Sequence, residues 1–380
     1  MDPIPHRYAL GDENASGDID VNPELVCTVS TVKDTVENVR LFVARNLAAG
    51  ADHMFVFLDD ADPEVGAYLD GHEHVSSIRT GKRYWDGQRP KNLNVRQLVN
   101  ANIVNTLLSP FEEVRWLFHL DGDECLDVDR KALLSLTDAA QAVRLSTLEA
   151  VSQAAWDQPV DRFKRPLGKD DLRLLAVLGV LDRPHMRQYY NGHLSGKPGL
   201  RPSLDLSLRI HSVRDRDGKA VDAVSGEHLN VLHYESFSGA EFVRKWSAHL
   251  SSGREARVNI RKDQLRSAIA AVLDNDHLGP DRKSDLLLQI YRRHVEDDFA
   301  TLDELGFLMT PSPAHHSHEP TGFPLEVERP LNALWKLLLA ADKGQGLATG
   351  TLQHAELLRG VREGLGTGNP ELAERLDRVL

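Results

Sequence analysis

The chain has 380 residues, 41% of them hydrophobic and 27% charged, an ordinary globular composition with enough length for one large or two moderate domains. A formal net charge of −12 without any basic block argues against broad binding along a nucleic-acid phosphate backbone. The only cysteines, Cys27 and Cys125, each sit in an apolar run, which argues against a disulfide framework and for a reducing compartment. No stretch approaches the roughly 18 apolar residues of a membrane span, and the N-terminus, MDPIPHRYALGDENASGDID, has neither a basic nor an apolar leader region. The expected location is the cytoplasm.

In chain order, residues 25–32 (LVCTVSTV) form a β-branched run that predicts a strand, after which Val36, Val39, Val43 and Leu47 recur at helical spacing until Gly50 closes the segment. The same unit returns as HMFVFLDD (53–60) with a short helix from Pro63, and as VSSIRT (75–80) with a long helix from about Lys91 to Leu108. A further strand, VRWLFHL (114–120), runs into an acidic cluster. This alternation predicts an α/β fold, a mostly parallel sheet with helices on both faces and ligands beyond the carboxyl ends of the strands.

From about 142 the pattern changes. AVRLSTLEAVS reads as a strand, residues 155–200 are rich in Pro, Gly and Arg, and LSLRIHSV (206–213) and LNVLHY (229–234) read as two more strands. After Ser238 the chain is almost all helical. The segment 311–324, PSPAHHSHEPTGFP, reads as a linker, and its His315, His316 and His318 as linker residues before metal ligands. Beyond it Leu331, Trp335, Leu338, Leu352, Leu358 and Val361 recur at helical spacing, so the tail must dock either on the preceding domain or on a second subunit as a homodimer contact.

The acidic cluster, Asp121, Asp123 and Glu124, follows the strand ending in His119 and Leu120. Asp121 and Asp123 are one residue apart, so both carboxylates can point the same way, and Gly122 lets the backbone between them bend closely around a ligand. Two hard oxygen donors of this kind suit Mg2+ or Mn2+ bridging the phosphates of a nucleotide. Glu124 is expected to face a second layer and hold a backbone amide or a basic partner.

Four blocks carry a resemblance: ENVRLFVARNLAAGADHMFVFLDDADPE, WLFHLDGDECL, SGKPGLRP with RIHS, and LHYESFSGAEFVRKW. Over about residues 25–250 the chain resembles family-2-type glycosyltransferases, in the branch with a D-x-D-E motif. The resemblance implies a GT-A fold, a nucleotide-sugar donor with a UDP-sugar as the first expectation, a saccharide or other hydroxyl acceptor, and Mn2+ or Mg2+. Asp121 and Asp123 match its metal and donor-phosphate motif, and His233 matches the late histidine that completes metal coordination, with His211 as its rival. Lys197 and Arg201, on a Gly-rich and Pro-stiffened turn, correspond to cations that meet the leaving diphosphate. Thr28, Ser30 and Lys33 would line the nucleotide pocket, with Asp59 accepting a hydrogen bond from base or ribose. The sequence has LDDAD where the family more often shows Asp, Asn and Ser, so Asp59 and Asp60 both stay open as that contact. Asn94, Arg96 and Gln97 either face the donor or lie on a solvated helix face.

A nucleoside diphosphate gains negative charge as it leaves, which a metal and nearby cations stabilise. An inverting reaction also needs a carboxylate to take the acceptor proton. The candidates are Asp157 and Glu149, with Asp157 preferred because Trp156 beside it offers a face for stacking on a sugar. A nucleotidyltransferase would carry a Gly-rich basic loop after the first strand, where this chain has TVKDTVENV. A phosphohydrolase would place its D-x-D on the first strand, and a noncatalytic sugar- or nucleotide-binding module is the reading if the metal site is incomplete. The expected division is an N-terminal segment 1–22, a GT-A domain 23–250, a helical extension 251–310, a linker 311–325 and a helical tail 326–380.

Overall fold

The computed structural model describes residues 24–251, 260–344, 346–365 and 369–380, and side chains among these outside 248–263; the N-terminal segment 1–22 lies outside the described residues. The strands are β1 (Leu25–Val32), β2 (His53–Leu58), β3 (Val75–Arg79), β4 (Val114–His119), β5 (Glu124–Val128), β6 (Ala142–Ala150), β7 (Phe163–Lys164), β8 (Lys197–Leu200), β9 (Leu206–Leu208), β10 (Val213–Asp215), β11 (Ala223–Val224), β12 (Leu229–His233) and β13 (Leu308–Met309). The helices are α1 (Val36–Ala48), α2 (Pro63–Asp70), α3 (Leu93–Leu108), α4 (Arg130–Leu134), α5 (Lys169–Val177), α6 (Met186–Tyr189), α7 (Gly239–Ser251), α8 (Ile260–Leu273), α9 (Pro280–His294), α10 (Phe299–Glu304), α11 (Leu325–Ala340), α12 (Gly346–Thr349), α13 (His354–Gly364) and α14 (Pro370–Val379). The chain forms two units: residues up to Ser146 with Ser195–Val231 and Ser312–Leu380, and Thr147–Leu194 with Leu232–Pro311.

In the first unit the sheet runs β3-β2-β1-β4-β8-β6, with β3, β2, β1 and β4 mutually parallel and β8 antiparallel to both its neighbours. Every residue of β1 and β2 is buried, which is why both read as continuous apolar runs rather than as alternating ones. This is the mostly parallel, helix-flanked α/β sheet of the GT-A type, with a helical C-terminal region. Thr35 caps α1 by accepting from the Asn38 amide at 3.4 Å, and Val36, Val39, Phe42, Val43 and Leu47 turn one face to the core.

Helix α3 is buried from Arg96 to Leu108, although six of those residues are Arg, Gln, Asn or Thr. Its asparagines replace strand partners. Asn102 donates to the Leu208 carbonyl at 3.0 Å and accepts from the Leu208 amide at 2.8 Å, while Asn105 donates to the Leu206 carbonyl at 2.7 Å, so β9 is hydrogen-bonded by helix side chains. Asn46 of α1 does the same for β5: its amide donates to the Glu124 carbonyl at 2.9 Å and accepts from the Leu126 amide at 3.0 Å.

The structure refines three expectations. The run LSLRIHSV is not one strand: a turn closed by Arg209 N on the Ser212 carbonyl at 2.8 Å splits it into the antiparallel pair β9 and β10, with His211 in the turn. The segment 311–325 is fastened rather than free. His315 and His316 lie 2.9 and 3.3 Å from one oxygen of buried Asp127, and His318 lies 2.9 Å from buried Asp52. The apolar stripe of the tail is covered within the first unit, where Trp335 packs edge-on against Phe55 and Phe57 with centroids 5.7 and 6.2 Å apart. Leu331, Leu338, Leu352, Leu358 and Val361 join the same core, so this stripe offers no face to a second subunit.

In the second unit the far end of β6 pairs with β7, and β7 with β13. One core gathers Leu172, Leu175, Tyr189, Leu302 and Phe307, and another gathers Phe242, Ile269, Leu287 and Tyr291. The helices of 251–310 therefore share a unit with 147–194 rather than forming an extension of their own. Among the described residues no helix is long and apolar enough to cross a membrane.

Besides His119 at the acidic turn, two buried histidines of the first unit give it a pH dependence. Burial lowers the pKa of His53 to about 3 and that of His354 to about 4. Unfolded, both titrate at the ordinary histidine value, so between that value and the folded one the unfolded chain holds more protons and stability falls as pH falls. From pH 6.5 to 5.5 each is expected to cost about 1 kcal/mol. Urea unfolding followed over that interval tests this, and a flat stability profile would refute it.

Candidate active site

Strand β4 ends with the Leu120 amide bonded to the Val29 carbonyl of β1 at 3.1 Å, and the chain then turns through Asp121, Gly122 and Asp123 into β5. Glu124 closes the turn. Its carboxylate accepts from the Asp121 amide at 2.8 Å, and its own amide donates back to the Asp121 carbonyl at 3.1 Å. A methyl group on Gly122 would press to 3.3 Å from Val32, so the turn is drawn tightly over the end of β1.

Lys197, the first residue of β8 and wholly buried, lies 2.5 Å from Asp121 and 3.1 Å from Glu124. Gly196 delivers it there: φ is +70°, and a Cβ would sit 2.1 Å from the Leu145 carbonyl oxygen, so no other residue fits. Gln97 of α3 donates to the second Asp121 oxygen at 2.6 Å. Burial alone would raise the Asp121 pKa, but Lys197 and then His119 outweigh it and bring it down to about 2. The Lys197 ammonium loses hydration on burial, yet Asp121 and Glu124 push its pKa above the ordinary lysine value. Asp121 is therefore an ionised, hard oxygen donor at neutral pH, and Asp123, half-buried at the same turn, brings a second carboxylate, the ligand type that suits Mg2+ and Mn2+.

Other expected residues lie around this turn. His119 is buried with neither ring nitrogen hydrogen-bonded among the described residues, and burial followed by Lys197 lowers its pKa to about 4. His211 has Nδ1 2.8 Å from the Gly196 carbonyl. A carbonyl only accepts, so Nδ1 carries the proton of this bond. Asp59 is buried between Arg89 at 2.6 Å and Arg96 at 2.8 Å, and Arg96 is held further by the Pro90 and Lys91 carbonyls. Asp60 is instead exposed, paired with Lys33 at 2.8 Å. Arg96 and Gln97 thus face inward, and Asn94 faces solvent.

Thr28 and Ser30 lie within β1, buried, and their hydroxyls have no hydrogen-bond partner among the described residues. Thr31, nearer the strand end, accepts from Asn100, which in turn accepts from the Tyr84 hydroxyl at 2.7 Å. Arg201 is not with Lys197: its guanidinium donates to the Ala140, Leu136 and Thr137 carbonyls and to Asp138, over the face of Trp116.

In the second unit Glu149 is wholly buried, 3.1 Å from Lys164 and accepting from the Asn191 amide at 2.7 Å and the Gly192 amide at 2.5 Å. Lys164 also meets Asp297 at 2.9 Å, and burial holds that carboxyl above its ordinary value. His233 ends β12, and the ring of His193, which sequence reasoning passed over, lies with its centroid 4.8 Å away. The signal for His193 is the glycine before it: a Cβ on Gly192 would sit 2.4 Å from the His233 ring and 2.7 Å from Glu149. Asp157 is on an exposed bend, and the Trp156 indole donates to the Phe237 carbonyl at 2.9 Å.

No protein-family model matches the chain, and no curated protein matches it. Among solved structures it is similar to the mannosyltransferase PcManGT from Pyrobaculum calidifontis in complex with GDP-Man and Mn2+, at 9% identity over 96% of this chain and 88% of that one, with a TM-score of 0.29. It is similar to the glycosyltransferase GlyE of Streptococcus pneumoniae TIGR4 at 9% identity over 86% and 63% of the two chains, with a TM-score of 0.22. It is also similar to the inositol-1-phosphate CTP transferase from T. maritima at 12% identity over 56% and 86%, with a TM-score of 0.23. At these scores the likenesses assign neither substrate nor reaction.

Proposed function

We propose that the chain is a metal-dependent glycosyltransferase that moves a sugar from a nucleotide-diphosphate donor, in the first instance a UDP-sugar, to an acceptor hydroxyl. The observation that carries this is the Asp121-Gly122-Asp123-Glu124 turn at the carboxyl end of a parallel strand, with Asp121 kept ionised by the buried Lys197. Asp121 and Asp123 would hold a divalent ion, Mn2+ or Mg2+, which when bound supplies charge neutralisation for the leaving diphosphate. Glu124 fixes the turn, Lys197 adds a cation beside it, and Asp59 orients the base or ribose from the end of β2. Of the two candidate bases we favour Asp157, an exposed carboxylate, because the oxygens of Glu149 are committed to Lys164 and two backbone amides. The loop after β1 supports a glycosyltransferase over a nucleotidyltransferase: Asp34 and Thr35 cap α1, and no glycine-rich phosphate cradle is present there.

The test is a panel of nucleotide sugars with Mn2+, read by thermal shift and by release of nucleoside diphosphate, since a ligand bound only by the folded state raises apparent stability. A panel in which no nucleotide sugar shifts or turns over would sink the proposal. The third metal ligand is assigned by the resemblance to His233, with His211 as rival. Alanine at the true ligand should raise the Mn2+ concentration needed for half-maximal turnover by about 10- to 100-fold with little change in melting. A structural histidine would do the reverse.

A further inference from the structure

The second unit sets two imidazoles against each other. His233, at the end of β12, is buried, and the His193 ring lies tilted by 32° to it with the centroids 4.8 Å apart. A ring nitrogen of His193 stands within 4.8 Å of one of His233. Metal–nitrogen bonds of roughly 2.0–2.1 Å set two nitrogens on one ion up to about 4.2 Å apart, so the pair is at or near chelating distance.

The residues before His193 hold it there. Gly192 can carry no side chain, because a Cβ would collide with the His233 ring and sit 2.7 Å from Glu149. The Asn191 and Gly192 amides both donate to Glu149, at 2.7 and 2.5 Å, and the Asn191 side chain donates to the Ser152 hydroxyl and the Val295 carbonyl, each at 3.2 Å. Glu149 is itself wholly buried against Lys164 at 3.1 Å, and Lys164 lies 2.9 Å from Asp297. A buried ion cluster of this kind adds little net stability over well-packed apolar side chains. Here it fixes the 191–193 segment against His233. Contact with that ring would be served as well by an apolar side chain, whereas an imidazole brings a nitrogen lone pair.

We propose that His193 is a second imidazole ligand of the divalent ion, beside His233, with Glu149 positioning it through the Asn191 and Gly192 amides. The inference rests on the reading of His233 as a metal ligand and extends it. Imidazole suits the later first-row ions, and carboxylate and water suit Mg2+. Two imidazoles therefore move the preference away from Mg2+ and toward transition ions, Co2+ above Mn2+.

The full chain, without nucleotide sugar, is titrated with Co2+, Mn2+ and Mg2+ by calorimetry, and the visible spectrum of bound Co2+ is recorded alongside. The expected order is Co2+ tighter than Mn2+, and Mn2+ tighter than Mg2+. His193→Ala and His193→Phe should each weaken Co2+ by at least about tenfold, the lower end of the effect of a metal's outer partners, and move the Co2+ spectrum toward that of the aqueous ion. Mg2+ binding and melting should change little. Phenylalanine keeps the ring contact and discards the nitrogens, so a packing role for His193 predicts native Co2+ binding in that variant. Co2+ binding that is unchanged in both variants, but lost in Asp123→Asn and His233→Ala, overturns the assignment of His193 and leaves the transferase reading standing. Binding lost in the His193 and His233 variants but kept in Asp123→Asn upholds the imidazole pair and ends that reading. A chain that takes up no Co2+ overturns the assignment, and the nucleotide-sugar panel then decides the reading alone.

Discussion

Replacing Asp123 by Asn is expected to lower sugar transfer by ~10³-fold, with little change in the urea midpoint. Asp123 is half-buried at the turn, and the hydrogen bonds that close the turn belong to Glu124 and the Asp121 backbone. Its loss therefore removes charge from the site without undoing the local fold. Asp121→Asn differs in kind. It takes the nearer of two carboxylates from a wholly buried lysine and leaves Glu124 at 3.1 Å, so it should cost stability, though less than the roughly 3–5 kcal/mol of a fully orphaned buried charge. Comparing the two variants separates ligation from support: both should lose metal-dependent donor binding, and only Asp121→Asn should lose stability. Turnover that withstands Asp123→Asn and exhaustive chelation alike would end the metal-dependent assignment.

The second large effect is structural. Trp335→Ala should destabilise the first unit by about 3–5 kcal/mol, because it empties a site packed against Phe55 and Phe57 in the middle of β2. Truncation before Leu325 removes the whole cover from those rings and should leave the first unit unable to fold. Fluorescence-monitored urea unfolding reads the first variant, and proteolysis of the truncated chain reads the second. A truncated protein that resists protease and binds nucleotide sugar as before would show that the tail is dispensable.

Much of the first unit is legible in its sequence, because β1, β2 and β4 are buried on both faces and α1 keeps an apolar stripe. The periodicity of Val36, Val39, Val43 and Leu47 is the packing itself. The acidic turn is legible for a similar reason, since carboxylates placed directly after a buried strand need a cation or backbone amides to receive them. What escapes is whatever depends on a distant partner. Asn46 looks like an ordinary helix residue until β5 is seen hydrogen-bonded to it, and Gln97 looks like a solvated helix face until Asp121 is seen beside it. Arg201 follows Lys197 by four positions, yet its guanidinium donates to three carbonyls of the 136–140 segment and to the Asp138 carboxylate, which nothing in SGKPGLRP announces. The fastening of 311–325 escapes for the same reason: its histidines answer Asp52 and Asp127, far earlier in the chain.

The packing of Trp335 on Phe55 bears on how the nascent chain is made. A ribosome adds roughly 5–20 residues per second, so β2 emerges on the order of tens of seconds before the indole that will cover it. During that time its aromatic face has no native partner from α11. Two excursions into the second unit, 147–194 and 232–311, are synthesised in between, and the second is closed before the first can be. Folding of the first unit thus waits for α11 in its last step, and a chaperone that shields the Phe55 and Phe57 surface during that interval is expected to matter more for yield than one acting on the folded protein.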